Sequence, residues 1–209
     1  MSRVDEETGA ILTVPATVAA PALTLRRWLP ADAPAMVAAH TDPAMRRWLF
    51  RHIETEDDAR EAIAQHDDAW DDGVRYAFAV LEHPRTDPAD AGIGAETDAG
   101  APPAWPIGSV TIRRIDPSAD VAEVGYWTAP AARGRSVAAR AAGAALEWAT
   151  ALWIRQAQPL RRFELIHTLG NDASCRVAEK LGFGLDCEYP PTIKHPEPAH
   201  LHVRPWPGR

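Results

Sequence analysis

Two short stretches of the chain combine residue types that can hold an anion and move a proton. The first is Arg133-Gly134-Arg135-Ser136-Val137-Ala138, which lies where an alternating strand pattern gives way to a long helical one. Small residues let successive backbone amides approach one point, and the positive end of the helix dipole adds to their field. Arg133 and Arg135 add further positive charge. The stretch predicts a site for a phosphate-bearing ligand, and an ordinary solvated helix cap is the alternative.

The second stretch begins at Asn171, the only asparagine of the chain, and runs through Ser174 to Gly182. Asparagine is a preferred helix N-cap and glycine is preferred just past a helix end, so we expect a short helix over residues 172–181. Asn171 is then a structural cap, a ligand contact, or both. Arg176 and Lys180 lie on the same helix, where they either meet phosphates or are solvated.

The elements that must position these stretches follow from hydrophobic periodicity. Strands are expected near residues 23–26, 76–80, 107–115, 121–127 and 162–168, with weaker ones near 184–189 and 199–206. Helices are expected over residues 32–39, 43–50, 55–72, 136–154 and 172–181. This order predicts an α/β (or α+β) fold, in which helices flank a mixed central sheet of about six to seven strands.

Composition narrows the classes of function. The 209 residues carry 22 basic and 29 acidic side chains, a net charge of −7, and are 46% hydrophobic, which suits one globular domain. The acidic balance argues against a nucleic-acid coat, two cysteines are too few for a disulfide framework or zinc finger, and no apolar run approaches the ~18 residues of a membrane span. The acidic N-terminus is unlike a secretory signal. We expect a cytoplasmic protein without nucleic-acid or membrane partners.

Two segments lack periodicity. Residues 1–20 are expected to form a loose leader, and residues 83–106, a tract of Pro, Gly, Ala and Asp, a flexible loop insertion. Residues 21–209 otherwise form a single domain. The sequence does not choose between a monomer and a homodimer.

Taken together, the two stretches resemble in order and separation the signature of the GNAT superfamily of N-acetyltransferases. Leu25-Arg26-Arg27-Trp28 with Asp32-Ala33 resembles its RimJ/RimL-type branch, which acetylates ribosomal-protein N-termini. The likeness covers roughly residues 22–188 and implies a splayed central sheet with acetyl-coenzyme A as co-substrate. The family's loop motif is Arg/Gln-x-x-Gly-x-Gly/Ala, and Ser136 replaces its first glycine. If that position needs a positive φ, serine adopts it at a cost and alters coenzyme affinity.

The resemblance also implies how the coenzyme is held. The amides of residues 133–138 bind its pyrophosphate, the edge of the preceding strand pairs with the pantetheine arm, and the Asn171 amide bonds the same arm. The implied coenzyme-binding residues are Tyr126, Trp127, Thr128, Arg133, Gly134, Arg135, Ser136, Val137, Ala138, Asn171, Arg176 and Lys180.

The implied reaction is attack of an amine on the acetyl thioester. Glu123, in a Glu-x-Gly-Tyr-Trp stretch similar to the family's, is the candidate base, directly or through a water, and an outward strand carboxylate is the alternative. Ser174 is the candidate acid for the leaving thiolate, with Tyr126 and Tyr189 ranked below it. An α-amine, whose pKa is about 7.7–8.0, needs less help from a base than a lysine side chain at about 10.4.

Several other residues invite an interpretation. Trp28 and Trp48 are candidate acceptor contacts, because the family builds its substrate site from the two early helices. The histidines near the C-terminus lie among prolines, where solvated side chains are commoner than a metal site; they are His195, His200 and His202. Cys175 is interpreted as a small buried side chain. No metal is expected.

These expectations describe an enzyme that transfers an acetyl group from acetyl-coenzyme A to a primary amine by direct attack in a ternary complex. The acceptor is a protein N-terminal α-amine or a small-molecule amine. A catalytically silent acyl-coenzyme A binder, acting as a sensor or interaction module, is the alternative. A protein-interaction domain that uses residues 83–106 ranks third.

Overall fold

The computed structural model describes residues 10–49, 51–83, 105–114, 120–156, 158, 160–192 and 196–207. The strands are β1 (Leu12–Val14), β2 (Leu23–Arg27), β3 (Arg75–Glu82), β4 (Gly108–Arg114), β5 (Val121–Thr128), β6 (Arg162–Thr168), β7 (Gly184–Tyr189) and β8 (Ala199–Pro205). They form one sheet in the order β1-β2-β3-β4-β5-β6-β8-β7. Neighbouring strands are antiparallel except β5 and β6, which are parallel.

Five helices accompany the sheet. They are α1 (Ala33–His40), α2 (Pro43–Trp48), α3 (Glu56–Asp71), α4 (Val137–Arg155) and α5 (Asp172–Lys180). The starts of α2 and α3 follow from local chemistry, since the Asp42 carboxylate accepts the Met45 amide and Thr55 forms the expected capping box with Asp58. The C′ residue of α5 is Gly182, whose φ of 75° explains why a glycine stands there.

Helices on both faces of the sheet enclose two cores. On one face α4 buries the small side chains of Ala141, Ala145 and Ala149, which let the helix approach the strands closely. On the other face α1 and α3 cover a second core that includes Ala77 and Ala79 of β3. The alternation along β3 therefore sends Tyr76, Phe78 and Val80 toward α4, and Ala77, Ala79 and Leu81 toward α1 and α3.

The parallel pair β5 and β6 opens the sheet at its centre. Their ladder joins Val121–Glu123 to Arg162–Glu164 and ends there. Beyond Glu123, β5 continues to Thr128 along β4, and β6 continues to Thr168 along β8. The two strands therefore part, and each presents one backbone edge to the gap between them.

The predicted fold class is confirmed, with one more strand than the sequence indicated. The additional strand is β1, which pairs with β2 inside the segment expected to be a loose leader. Residues 1–9 of that leader and most of the expected insertion, residues 84–104, lie outside the described residues. Within the described ranges, no helix combines the length and apolarity needed to cross a bilayer.

Candidate active site

A cavity of about 720 Å³ occupies the gap between the parting strands. Its walls come from α2, the second half of β5, the loop and first turn leading into α4, the end of β6 and the first turns of α5. A volume of this size is typical of sites for small molecules and cofactors. Of the residues that the sequence singled out for binding or catalysis, all line this cavity except Arg135, Trp28 and the lower-ranked candidate acid Tyr189.

The loop before α4 forms a concave row of backbone amides. Gly134 has φ of 75° and Ser136 has φ of 59°, and Ser136 is the one non-glycine residue with a positive φ in the described part of the chain. Alternation between left-handed and ordinary conformations turns successive amides toward one point. Ser136 is the N-cap residue of α4, yet its side chain does not accept a first-turn amide. The loop and the first turn of α4 line the cavity, so the positive end of the helix dipole lies at its wall.

The arginine side chains of this loop are both paired with carboxylates of other elements; Arg133 lines the cavity, whereas Arg135 does not. Arg133 donates through Nη2 to Asp42 Oδ1 at 2.5 Å and through Nε to the Thr128 carbonyl at 3.2 Å. The hydrogen bond from Arg133 holds the pKa of Asp42 below its usual value. Arg135 Nη1 lies 2.9 and 2.8 Å from the two carboxylate oxygens of Glu82. The Arg133 guanidinium therefore connects the loop to the start of α2 and the end of β5, and the Arg135 guanidinium connects it to the end of β3.

Helix α5 contributes two cations to the wall of the cavity. Arg176 and Lys180 both line it, and Lys180 Nζ donates to Ser136 Oγ at 3.2 Å. This bond joins the end of α5 to the amide-lined loop. Two of the cations at the cavity wall therefore come from a later helix, since Lys180 follows Ser136 by 44 positions.

The first turn of α5 forms another wall of the cavity. Asn171 Oδ1 accepts the Ser174 amide at 3.3 Å, so the predicted capping role is present, and the same residue lines the cavity. Ser174 is 9% exposed, and its carbonyl accepts the Tyr126 hydroxyl at 3.5 Å. Burial raises the pKa of Tyr126 to about 12. That pKa lies far above the ordinary thiol value of about 8.5, so this phenol is a poor acid toward a thiolate.

Glu123 stands where β5 and β6 begin to part. Its carboxylate accepts from Arg113 Nη2 at 2.6 Å, and 14% of its side chain is exposed. The two residues are direct partners in the β4–β5 register. Arg113 also lines the cavity and was not foreseen, although a basic residue opposite a strand glutamate is a pairing that a strand register would have indicated.

The two candidate acceptor tryptophans have different positions. Trp48, at the end of α2, lines the cavity together with Met45 and Leu49, which the sequence did not single out. Trp28 does not line it. Its side chain is 1% exposed, donates through Nε1 to Ser109 Oγ at 3.3 Å, and lies 5.8 Å from the ring of Trp127. The prediction for Trp28 is therefore wrong, because its ring belongs to the core behind Trp127.

A sheet that parts over an amide-lined anion loop defines a GNAT-type acetyltransferase fold. A family model described as an acetyltransferase (GNAT) domain matches residues 22–184, and the chain belongs to this family. A search of curated protein sequences finds no significant match.

Solved structures extend the likeness over nearly the whole chain. Mycobacterium smegmatis RimJ in complex with CoA-disulfide is 18% identical, with a TM-score of 0.68 over 98% of this chain and 90% of that one. RimL, a ribosomal L7/L12 alpha-N-protein acetyltransferase in complex with coenzyme A, is 14% identical, with a TM-score of 0.66 over 92% and 97%. The microcin C7 self-immunity acetyltransferase MccE, in complex with acetyl-CoA and AMP, is 13% identical, with a TM-score of 0.65 over 88% and 92%. These likenesses confirm the fold, which this chain shares with RimJ and RimL.

Proposed function

We propose that the protein transfers an acetyl group from acetyl-coenzyme A to a primary amine. The observation that carries the proposal is the cavity itself, which joins an amide-lined anion site to the backbone edge of β5. A coenzyme A molecule has these two features in sequence: an anionic pyrophosphate and an amide-bearing pantetheine arm. Family membership and the coenzyme complexes of RimJ, RimL and MccE support this reading.

In this proposal the coenzyme lies along the gap. The Arg133 amide donates to the Pro130 carbonyl at 3.3 Å, so the loop amides proposed to bind the pyrophosphate are those from Gly134 to Ala138, and Lys180 and Arg176 offset its charge. The arm continues between the strands, pairs with β5 at residues 126–128 and meets the side chain of Asn171. Ser174 then lies near the thioester end, as the candidate donor of a proton to the leaving thiolate.

The acyl transfer needs a neutral amine and support for a tetrahedral oxyanion. Glu123 is the proposed base, acting directly or through a water, and Arg113 fixes the orientation of its carboxylate. Backbone amides on the free edge of β5 are placed to donate to the oxyanion. The amine attacks the thioester carbon, the tetrahedral adduct collapses, and the coenzyme leaves as the thiol.

The acceptor enters from the side of α2. Trp48, Leu49 and Thr168 line both the main cavity and a neighbouring pocket of about 220 Å³, whose other walls include Pro196 and Glu197. The two pockets are therefore neighbours that share one wall. The second pocket is also lined by Arg47 and His52, and its one carboxylate, Glu197, is the group suited to attract a primary amine, either a protein N-terminus or a small molecule.

Two assays on the full chain test the proposal. Acetyl-coenzyme A should raise the melting temperature, and an amine panel of N-terminal peptides and small amines should release free thiol in the presence of at least one acceptor. Stabilisation without thiol release for any amine would instead support the silent acyl-coenzyme A binder. No stabilisation at millimolar acetyl-coenzyme A would refute both.

A further inference from the structure

Four side chains with metal-binding atoms meet behind one wall of the cavity. Each offers one nitrogen or sulfur atom, and these four atoms all lie within 4.8 Å of one another; the residues are His167, Cys175, His200 and His202. Cys175 Sγ lies 3.4 Å from His167 Nε2 and 3.4 Å from His200 Nδ1. His167 Nε2 lies 3.2 Å from His202 Nε2.

The backbone builds this cluster. His167 on β6 is the direct antiparallel partner of His200 on β8, and His202 stands two residues further along the same strand. Side chains alternate along a strand, so all three imidazoles lie on one face of the sheet. Helix α5 brings Cys175 to that face, one turn after its Asn171 cap. His195, the third histidine of the C-terminal segment, lies outside the described residues.

Four atoms with lone pairs converge on one point in the cluster. His167 Nδ1 lies 3.1 Å from the Thr168 carbonyl, which can only accept, so Nδ1 carries the proton and Nε2 presents its one lone pair to the cluster. The Cys175 sulfur and His202 Nε2 both approach that lone pair, and the sulfur also approaches His200 Nδ1. A divalent cation at the centre would receive one lone pair from each residue once the Cys175 thiol has released its proton to solvent.

Three of the six distances between the ligand atoms match a tetrahedral site, and the other three are at most 4.8 Å, so those atoms must move closer when an ion binds. Zinc binds nitrogen at about 2.0–2.1 Å and sulfur at about 2.3 Å, so the edges of a tetrahedral site with such ligands are about 3.3–3.6 Å. The three short contacts in the cluster measure 3.2, 3.4 and 3.4 Å. Imidazole and thiolate ligands also favour a borderline-soft divalent ion such as Zn²⁺ over Mg²⁺ or Ca²⁺, which prefer oxygen ligands.

We propose that His167, Cys175, His200 and His202 bind one Zn²⁺ ion in a tetrahedral site. The protein supplies all four ligands, so the site is closed and structural rather than catalytic. His167 and His202 are 8% and 3% exposed, which shields the ion from solvent. The carboxylates of Asp172 and Glu179 act electrostatically on the cluster and offset the charge of the ion.

The position of the site gives it a consequence for the cavity. Cys175 follows Ser174 directly and belongs to the first turns of α5, while His167 itself lines the cavity. A bound ion therefore ties the helix that carries Asn171 and Ser174 to β6 and β8. The sequence led us to expect no metal, and this proposal replaces that expectation with one structural ion. The proposed acetyl transfer itself uses no metal.

Cobalt is the probe that tests this site, because it replaces zinc and reports its ligands. The full chain is stripped with a chelator and titrated with Co²⁺. We expect one equivalent to bind, with intense tetrahedral d–d absorption and a thiolate-to-cobalt charge-transfer band, both lost when Zn²⁺ is added. Cys175→Ser should lose the charge-transfer band, whereas Cys187→Ser, at the other and exposed cysteine, should keep it.

Affinity gives an independent measure. His202→Ala should weaken Co²⁺ binding by at least about tenfold, while His52→Ala, at an exposed histidine outside the cluster, should leave it unchanged. Circular dichroism checks that each variant folds. If His202→Ala fails to fold, Cys175→Ser still tests the site, because it only exchanges sulfur for oxygen. Octahedral Co²⁺ absorption, or a charge-transfer band that survives in Cys175→Ser, would overturn the proposal. Neither measurement involves coenzyme or amine, so failure here leaves the proposed acetyl transfer untouched.

Discussion

Replacing Ser136 with glycine should stabilise the protein. Ser136 has φ of 59° and ψ of 18°, a left-handed conformation that costs a residue with a Cβ atom about 1–2 kcal/mol. Glycine removes this cost but loses about 0.5–1 kcal/mol through the greater freedom of the unfolded chain. The exposed hydrogen bond from Lys180 to the hydroxyl is also lost, and such surface contacts contribute little. The balance is a gain of about 0.5 kcal/mol.

A matched pair of variants separates the backbone from the side chain. Ser136→Ala removes the same hydroxyl but keeps the Cβ atom, so it should be less stable than Ser136→Gly by about 0.5–1 kcal/mol, which is roughly 1–4 °C in melting temperature for a chain of this size. Ala138→Gly lies two residues further on, inside α4, where glycine should instead destabilise by about 0.5–1 kcal/mol. Thermal unfolding followed by circular dichroism measures all three.

The reasoning fails if Ser136→Ala is as stable as Ser136→Gly or more stable, because the positive φ would then carry no energetic cost. Coenzyme affinity adds a second readout under the proposed function. Since the glycine variant keeps the loop conformation and opens room for the pyrophosphate, its Kd for coenzyme A should not rise. A large rise in Kd would show that the hydroxyl binds the coenzyme.

Three further changes have defined outcomes. Glu123→Gln should lower kcat by about 10²-fold or more while leaving the Kd for coenzyme A nearly unchanged. The control Glu147→Gln, at an exposed glutamate of α4, should change neither parameter. An equal loss in kcat and in coenzyme affinity for Glu123→Gln would count against Glu123 as the base. Asn171→Ala should lower the free energy of unfolding by about 1 kcal/mol through loss of the α5 cap and should raise the Kd for coenzyme A, which urea unfolding and calorimetry measure. Burial lowers the pKa of His40 and His66 from 6.5 to about 4, so between these pH values the unfolded chain binds protons that the folded one does not. Stability should therefore fall as the pH drops from about 6.5 to 4, and a His40→Gln/His66→Gln double variant should flatten this slope in urea titrations; an unchanged slope would refute the assignment.

Local patterns predicted the elements whose signals lie within a few residues of each other. The capping box of Thr55 with Asp58 and the C′ glycine at 182 are complete in the sequence, so the ends of α3 and α5 were predictable. Strand β1 was not, because three residues, Leu12–Val14, carry too little alternation to stand out. It exists through pairing with β2, which a local pattern cannot contain.

The errors at the candidate site have the same origin. Trp28 follows an alternating strand, which suits either a pocket or a core, and only its contacts with Ser109 and Trp127 decide for the core. The histidine and cysteine cluster is a stronger case. His167 and His200 are separated by 33 positions, and the antiparallel register of β6 and β8 alone places them opposite each other. In the sequence, His200 and His202 lie in a proline-rich segment, and that composition indicated solvated histidine side chains instead.

The pairing of Arg133 shows how the two halves of the cavity are joined. Asp42 Oδ1 accepts both the Met45 amide, which starts α2, and the Arg133 guanidinium. The residue that opens the anion-loop motif therefore holds the cap of the helix that carries Met45 and Trp48. A displacement of the loop by a bound anion would act on that cap directly, and so on the walls of the acceptor side. The first arginine of the motif is thus better understood as a link between the coenzyme loop and the acceptor helix than as a ligand of phosphate.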